Sequence, residues 1–285
     1  MLLQVAAVVV LYNPTKEMLN NIYSYLDLVH RLYVIDNSDM KNMEFVDNIK
    51  TNPNVTYIDN NGNMGIANAL NIAVEIAIGN NYKWLLTMDQ DSSIAPSMLT
   101  EMFEYVQSNS VDKVSIISPF HANLYEQSLD TTDKYTEVLT AMTSGCLLNL
   151  SNYSQIGPFD EDMFIDHVDH EYCLRSHQKG YSIIRVNRAI LQHNVGKLNQ
   201  HSLFGKRFFS TNHSPIRCYY SFRNRIRLIR CYYRAFPGYC FHSFIRFLID
   251  PGIIVLYEDK KIAKLKMMCI GILDGLRGRY GKYND

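Results

Sequence analysis

The chain has 285 residues, of which 47% are hydrophobic, the share expected of a globular protein with a sizeable core. This excludes disordered and fibrous classes. The 28 basic and 28 acidic residues balance, so overall attraction to nucleic acid or lipid is not indicated. The charges are nevertheless segregated: residues 1–174 carry 7 Lys/Arg and 23 Asp/Glu, whereas residues 175–249 carry 14 and none. An acidic body followed by a basic band suits a phosphate-bearing ligand, a metal ion held by carboxylates, or both.

The cysteines and the N-terminus argue against two further classes. The six cysteines form no CxxC pair, so neither a zinc site nor a disulfide framework is indicated, and a reducing cytosol is favoured. The apolar N-terminal run spans about ten residues before Asn13-Pro14, short of the ~20 that a membrane-spanning helix needs. It is predicted to be a buried strand.

Short apolar runs alternate with helical patterns through the first half of the chain. The pattern predicts strands over Val5–Leu11, Leu32–Ile35, Val55–Ile58, Trp84–Met88 and Val114–Ile117, and helices over Thr15–Leu28, Ile66–Ile78 and Pro96–Val106. Such βαβ crossovers make the fold class α/β, with a mostly parallel sheet flanked by helices. Aromatic, arginine-rich helices are predicted over Pro215–Phe236 and Gly238–Leu276. We therefore divide the chain into a ligand-binding domain (1–212) and a helical C-terminal extension (213–285).

Polar loops follow the first four predicted strands. They contain Tyr12-Asn13, Asp36, Asn63 with Gly65, and Asp89-Gln90-Asp91. In parallel sheets, ligands bind beyond the carboxyl ends of the strands, so these loops are expected to face one crevice. Two carboxylates at the tip of a rigid strand are hard oxygen ligands, as Mg²⁺ or Mn²⁺ on a diphosphate requires. The alternative for Asp89 and Asp91 is an acidic turn that caps the next helix.

The glycine-bearing loop that ends at Gly65 opens a predicted helix. Such a loop lets backbone amides approach a phosphate or a sugar, although a plain turn with an N-cap explains it as well. Its spacing is not GxGxxG, which disfavours a dinucleotide-binding fold.

An acidic helix start lies between Asp166 and Arg175. Asp166 is expected to be its N-cap, and Glu171 is expected to form a structural ion pair with Arg175 at i, i+4. Asp169 has no such partner, and a carboxylate beside a metal–phosphate site is a natural general base. His193 follows a short predicted strand; it is either a packing residue or a completing metal ligand.

The basic band is densest between Arg217 and Arg234. Arg223, Arg227, Arg230 and Arg234 are spaced as one stripe of a helix. The stripe is open to three interpretations: contact with anionic lipid headgroups, a grip on a diphosphate by Arg217 and Arg223, or a solvated face without a ligand.

Taken in order, these residues resemble those of family 2 glycosyltransferases of the GT-A fold, and most of all those of bacterial rhamnosyltransferases that build O-antigen and other surface polysaccharides. The resemblance runs from about Gln4 to Asn224. It rests on MDQDS after a strand, and then on SGCLLN (Ser144–Asn149), FIDHVDHEYCLR (Phe164–Arg175) and SPIRCYYSFRN (Ser214–Asn224). The fold it implies is a Rossmann-like GT-A domain.

The resemblance also implies roles for individual residues. Asp36 would read the nucleobase with Tyr12 and Asn13 beside it, Asn63 and Gly65 would line the nucleotide, and Asp89 would contact the ribose or the sugar. Asp91, with His193, would hold Mg²⁺ or Mn²⁺ on the diphosphate. Asp169 takes the position of the catalytic base; because Val168 replaces the family's usual Glu there, Asp166 stays open as the alternative base or as an acceptor contact.

The implied reaction is an inverting sugar transfer, with dTDP-L-rhamnose as the expected donor. The expected acceptor is a saccharide on a polyprenyl diphosphate, and the C-terminal helices are expected to contact the inner face of the cell membrane. We expect a cytoplasmic, peripheral bacterial enzyme that binds no nucleic acid and is possibly a homo-oligomer. The alternatives are another nucleotide-sugar donor, a sugar nucleotidyltransferase, or a non-catalytic module that binds a sugar nucleotide or lipid.

Overall fold

A computed structural model describes residues 4–121, 133–193, 199–203, 206–210 and 212–284, and between 192 and 211 it describes the backbone alone. The strands in these ranges are β1 (Val5–Leu11), β2 (Arg31–Asp36), β3 (Val55–Asp59), β4 (Trp84–Asp89), β5 (Ser92–Ile94), β6 (Val114–His121), β7 (Tyr135–Glu137), β8 (Cys146–Asn149), β9 (Ser182–His193), β10 (Asn199–Leu203) and β11 (Lys206–Ser210). The α-helices are α1 (Met18–Leu26), α2 (Met43–Lys50), α3 (Ile66–Gly79), α4 (Pro96–Ser108), α5 (Leu150–Ile156), α6 (Val168–Gln178), α7 (Pro215–Tyr232), α8 (Pro237–Tyr257) and α9 (Lys261–Arg277).

The main sheet has the strand order β3-β2-β1-β4-β8-β6-β9-β5, and β7 pairs with β9 beside this path. Strands β1 to β4 are parallel to one another, as predicted. Strand β8 runs antiparallel between β4 and β6, and β5 and β7 run antiparallel to β9. The α/β fold class is confirmed, and the sheet is mixed. The carboxyl ends of β1, β2, β3 and β4 lie side by side at one edge.

Helices cover both faces of this sheet. Alternate β1 residues face opposite sides: Val8 packs with α3 and α6, whereas Val9 packs with α1 and α4. The continuous apolar strands predicted to be covered on both faces are therefore buried on both faces.

The C-terminal helices pack against one another and against the sheet layer. Leu228 and Tyr232 of α7, and Cys240 of α8, belong to the same core cluster as the sheet residues. The predicted helix over Gly238–Leu276 is divided into α8 and α9, because the backbone turns at Lys260, whose φ is +51°. The proposed boundary at residue 212 precedes α7 and stays a prediction.

Two glycines of α9 set how closely it approaches α7. A Cβ atom on Gly275 would lie 2.9 Å from the Arg223 carbonyl oxygen, and one on Gly271 would be closer still to the Tyr219 carbonyl oxygen. Backbone oxygens cannot move aside as a flexible side chain can, so this interface requires glycine.

We expect Gly271→Ala to lower the free energy of unfolding by about 1–3 kcal/mol, because the added methyl group overpacks the α7–α9 interface. Denaturant unfolding measures it. Gly252→Ala in α8 is the matched control, since no atom lies within 4 Å of the position of its Cβ; we expect it to be neutral or stabilising by up to about 1 kcal/mol. Equal effects from both substitutions would contradict the close-packing argument.

Candidate active site

The ends of β1 and β4 are joined through Gln90. Its side-chain amide donates to the Tyr12 carbonyl oxygen at 3.1 Å and its Oε1 accepts from the Tyr12 amide nitrogen at 3.0 Å. Asn21 of α1 donates to the Gln90 carbonyl oxygen at 3.1 Å. The middle residue of the Asp89-Gln90-Asp91 segment therefore fixes the acidic loop beside Tyr12, whose side chain is exposed.

Asp36 ends β2 and is completely buried. Its carboxylate accepts from the Ser38 amide nitrogen at 2.8 Å and from the Tyr57 hydroxyl at 2.7 Å, and Lys41 Nζ lies 3.8 Å away. Ser38 also accepts from the Asn13 amide nitrogen at 2.8 Å. Each carboxylate oxygen accepts one of these hydrogen bonds, so Asp36 organises this loop; its contact with a nucleobase stays a prediction.

Gly65 lies where the glycine-bearing loop after β3 meets the loop around Phe164. Its φ is +90°, its amide nitrogen donates to Asn63 Oδ1 at 3.1 Å, and a Cβ atom on it would lie 2.7 Å from the Phe164 carbonyl oxygen. That oxygen also accepts from the Ile66 amide nitrogen at 2.8 Å. Asn63 and Gly65 are thus held together, and the contact with this loop positions the segment around Phe164 near the ends of the strands.

Three carboxylates and one guanidinium interact at the end of β4. The pKa of Asp89 is raised to about 7, chiefly by burial and in addition by the negative charges of Asp91 and Asp169. Arg217 and a hydrogen bond with Ser144 act in the opposite direction. The structure therefore brings Asp89, Asp91, Asp169 and Arg217 into one electrostatic neighbourhood. Repulsion among carboxylates at one place is relieved by a cation, so the donor set fits Mg²⁺ or Mn²⁺.

His193 was predicted to complete the metal shell. Its backbone pairs with Ser92, the residue after Asp91, while its side chain lies outside those that the structure describes. Among the described side chains, no three His, Cys, Asp or Glu residues form a ready metal cluster. Mg²⁺ usually takes only one or two carboxylates from the protein and the rest from phosphates and water, so the Asp91–His193 site stays a prediction.

Asp166 is bound to Arg217. Arg217 Nη2 donates to Asp166 Oδ1 at 2.5 Å and Arg217 Nε donates to Oδ2 at 3.4 Å. The prediction that Asp166 caps the acidic helix is wrong: α6 begins at Val168, and Asp166 and His167 have φ values of +63° and +65°. Asp169 is in the first turn of α6.

The loop before α6 is held by two neighbouring residues of α7. Arg223 is fully buried and donates to the carbonyl oxygens of Gly281 (2.6 Å), Asp162 (2.9 Å) and Met163 (3.1 Å). Asn224 donates to the carbonyl oxygens of Met163, Ile165 and Asp166 at 2.8, 2.8 and 2.9 Å. The prediction that Arg223 grips a diphosphate is wrong, because its donors are used inside the protein; Arg217 keeps that role as a prediction.

The predicted ion pair of the acidic helix is confirmed. Glu171 accepts from Arg175 Nε at 2.9 Å and Nη2 at 2.7 Å, and the Tyr232 hydroxyl donates to it at 2.8 Å. The pair therefore joins α6 to α7 and has a structural role.

The arginine stripe does not form an open face. Arg223 is buried, Arg227 pairs with Asp160 at 2.7 Å, and Arg230 donates to carbonyl oxygens of α9. The stripe is therefore not one continuous lipid-contacting face, because Arg223 and Arg227 bind partners inside the protein. Arg230 and Arg234 are exposed, and their contact with lipid stays a prediction.

Sequence reasoning missed several residues that support the site. Ser144 donates to Ser92 Oγ at 2.9 Å and accepts from the Asp89 amide nitrogen at 3.1 Å. Gln90 and Asn224 fix the two loops that carry the carboxylates. All three lie in the segments quoted for the family resemblance, but residue type alone gave them no role.

Comparison with known proteins shows what the chain is similar to. Residues 6–129 match the model described as "Glycosyl transferase family 2". The chain is 27% identical over 300 residues to the dTDP-rhamnosyl transferase RfbF of Shigella flexneri, with 98% of each chain covered. The chain is therefore a glycosyltransferase whose first half is similar to family 2. This glycosyltransferase is also 24% identical over 301 residues to the low-salt glycan biosynthesis hexosyltransferase Agl10 of Haloferax volcanii, with 97% of this chain and 92% of that one covered.

Solved structures confirm the GT-A fold of this glycosyltransferase. GalNAc-T7 with UDP, GalNAc and Mn²⁺ superposes with a TM-score of 0.57 at 14% identity, over 72% of this chain and 44% of that chain. Residues 1–349 of S. aureus TarS superpose with a TM-score of 0.55 at 12% identity, over 99% and 94%.

We expect Arg223→Met to lower the free energy of unfolding by about 2–5 kcal/mol, because it removes the buried hydrogen bonds that Arg223 donates to the carbonyl oxygens of Asp162, Met163 and Gly281. Arg234→Met, at an exposed arginine of the same band, is the control and should stay within about 0.5 kcal/mol of the parent. Chemical denaturation compares the two. A variant at Arg223 with native stability but weakened nucleotide-sugar binding would restore the diphosphate assignment.

Proposed function

We propose that this enzyme transfers a sugar, with inversion, from a nucleotide sugar to a hydroxyl of a lipid-linked saccharide in bacterial surface polysaccharide synthesis. The favoured donor is dTDP-L-rhamnose. The observation that carries the proposal is the electrostatic coupling of Asp89, Asp91, Asp169 and Arg217 at the carboxyl edge of the parallel strands. These groups supply what the reaction needs: ligands for a cation, a proton acceptor, and a donor for a leaving diphosphate.

The chemistry follows from the side chains. Asp169 accepts the proton of the acceptor hydroxyl, whose oxygen forms a bond to the anomeric carbon of the sugar. The bond from that carbon to the nucleoside diphosphate breaks on the opposite face, so one displacement inverts the anomeric configuration. Arg217 stabilises the charge that develops on the leaving group, while its pair with Asp166 orients it. A divalent ion held by Asp91, with His193, would neutralise the same charge when bound.

The donor is supported by the relatives. The name of the Shigella relative states a dTDP-rhamnosyl transferase, and that relative matches this chain from end to end. At 27% identity the sugar can differ, so another nucleotide-sugar donor is the second candidate. The Mn²⁺ bound with UDP in the GalNAc-T7 structure supports a divalent ion in this fold.

The nucleotide would lie across the ends of β1 to β4. Tyr12 and Asn13 would flank the base above the Asp36 loop, and Asn63 and Gly65 would line the ribose end. Asp89 would contact the ribose or the sugar, since it stands between Gln90 and Ser144 at the tip of β4. A cytoplasmic site at the inner face of the membrane would give the enzyme access to a polyprenyl-diphosphate acceptor.

A donor screen tests the function. In the absence of acceptor, we expect Mn²⁺-dependent hydrolysis of dTDP-L-rhamnose to dTDP, faster than that of UDP-, GDP- or other dTDP-sugars. We expect Asp91→Ala to abolish metal-dependent donor binding in calorimetry, whereas Asp47→Ala, an exposed carboxylate on α2, leaves it unchanged. Release of pyrophosphate would indicate a nucleotidyltransferase, and binding without any product would indicate a non-catalytic module.

The base is tested by two amide variants. We expect Asp169→Asn to keep donor affinity and to lower the transfer rate by about 10²–10⁴-fold, since it removes proton acceptance alone. Asp166→Asn should change donor affinity, because it releases Arg217. Steady-state kinetics with a saccharide acceptor separates the effects. Retained turnover in Asp169→Asn together with a dead Asp166→Asn would assign the base to Asp166.

A further inference from the structure

Helix α8 carries a long apolar surface on its outer side. Exposed apolar residues recur at spacings of three, four and seven on one face of the helix: Phe241, Phe244, Ile245, Leu248, Ile249, Val255 and Leu256. We call these seven residues the α8 stripe. Phe241 is 67% exposed, Leu248 58% and Leu256 61%. Water-soluble helices present polar side chains on the face that points to solvent, so this surface requires a covering partner.

The inner side of α8 is fixed to the catalytic layer. Tyr239 Oη lies 2.7 Å from His170 Nδ1, next to the proposed base, and the rings of Phe247 and Phe222 are 5.2 Å apart. Asp250 accepts from Arg225 of α7 at 2.8 Å. By length and hydropathy α8 could cross a membrane, but a crossing helix would have to give up this ion pair and its packing on α7. The contacts instead orient α8 with one side inward and the stripe outward.

The charges around the stripe are basic. Among the described residues, the exposed positions of α8 include no Asp or Glu. His242 and Arg246 flank the stripe, and Arg246 also pairs with Asp250 at 3.0 Å. Beyond the C-terminal end of α8, the exposed Asp259 is followed by Lys260, Lys261 and Lys266, which are all exposed and in no described ion pair. An apolar stripe with basic residues at its borders is complementary to acyl chains beneath anionic headgroups.

We propose that the α8 stripe inserts at the boundary between acyl chains and headgroups of an anionic bilayer, so that α8 lies in the plane of the membrane. Arg246 extends to the headgroup level, as basic side chains at such borders do. This surface differs from the arginine stripe of α7, in which Arg223 is buried and Arg227 pairs with Asp160.

The position of α8 connects the bilayer to the active site. A cavity of about 130 Å³ lies between α7 and α8, lined by Arg217 and Ser221 on one side and by Arg246 and Ile253 on the other. Arg217 is also the guanidinium that faces Asp89 and Asp166. A lipid-anchored acceptor in the bilayer therefore lies one helix away from the catalytic carboxylates. The inference rests on the proposed function only for this acceptor, and membrane binding can be measured without any substrate.

Flotation of the full-length protein with vesicles tests the proposal. We expect the parent to float with vesicles of phosphatidylglycerol and phosphatidylethanolamine, and less with phosphatidylcholine alone. The double variant Phe241→Asp/Leu248→Asp should lower the bound fraction about tenfold or more, since each change removes a large apolar side chain from the lipid. The control is Met43→Asp/Ile78→Asp, which alters two exposed apolar residues of α2 and α3 and should float as the parent does.

Sedimentation and donor hydrolysis in lipid-free solution complete the test. The stripe variant should keep the parent's mass and its Mn²⁺-dependent donor hydrolysis, which separates loss of membrane binding from failure of the proposed function. Flotation unaffected by the stripe variant would overturn the inference. A parent that does not float but forms a dimer, which the stripe variant dissociates, would also overturn it and assign the surface to a second copy of the chain.

Discussion

The active site depends on a buried arginine and its neighbouring asparagine, which hold a strained loop. Phe164, Asp166 and His167 all have positive φ values, a conformation that costs free energy in residues other than glycine. The loop keeps this conformation because Arg223 and Asn224 donate five hydrogen bonds to four carbonyl groups between residues 162 and 166. In this loop conformation Asp166 points toward Arg217, and α6 starts in a position that places Asp169 near the end of β4.

The carboxylates of Asp89, Asp91 and Asp169 repel one another at the end of β4, so their negative charges are unfavourable when no cation is bound. The pKa of Asp89 is raised to about 7 because burial and two neighbouring negative charges act together. The positive charge of Arg217 lowers this pKa, but by less than burial and the two carboxylates raise it. A site of this kind gains most from a ligand that brings positive charge with it, as a metal–diphosphate complex does through its cation, while the arginine is available to the phosphate.

Much of the fold follows from local sequence. The bounds of β1 are those predicted, β3 and β4 extend one residue further at one end, and β2 extends one residue further at both ends, because continuous apolar runs closed by polar loops define buried parallel strands. Strand β8 was missed because four residues give only a weak strand pattern, and no local pattern encodes its antiparallel direction. Helix α2 was also missed; it is a short helix, capped by Asn42, between two strands.

The site was predictable in its residue types and less so in their roles. Asp89, Asp91 and Asp169 were selected because they lie at a predicted strand end and a predicted helix start within segments that resemble the family, although capping turns explain such carboxylates as well. Arg217 and Arg223 look alike in sequence, but they have different partners. Arg217 faces the carboxylate of Asp166, whereas Arg223, six residues further along α7, is buried and donates to backbone carbonyl oxygens. Burial is a property of the whole fold, and no local pattern distinguishes the two.

The contacts near residue 281 connect the loop before α6 to a distant part of the chain. The Gly281 carbonyl oxygen accepts from Arg223, its amide nitrogen donates to the Asp162 carbonyl oxygen at 2.7 Å, and Tyr283 donates to the Tyr220 hydroxyl at 2.8 Å. The loop at 162–166 is therefore held from residue 281 as well as from α7. A chain cut before this residue would lose part of the support of the candidate site, although every described strand of the sheet would still be present.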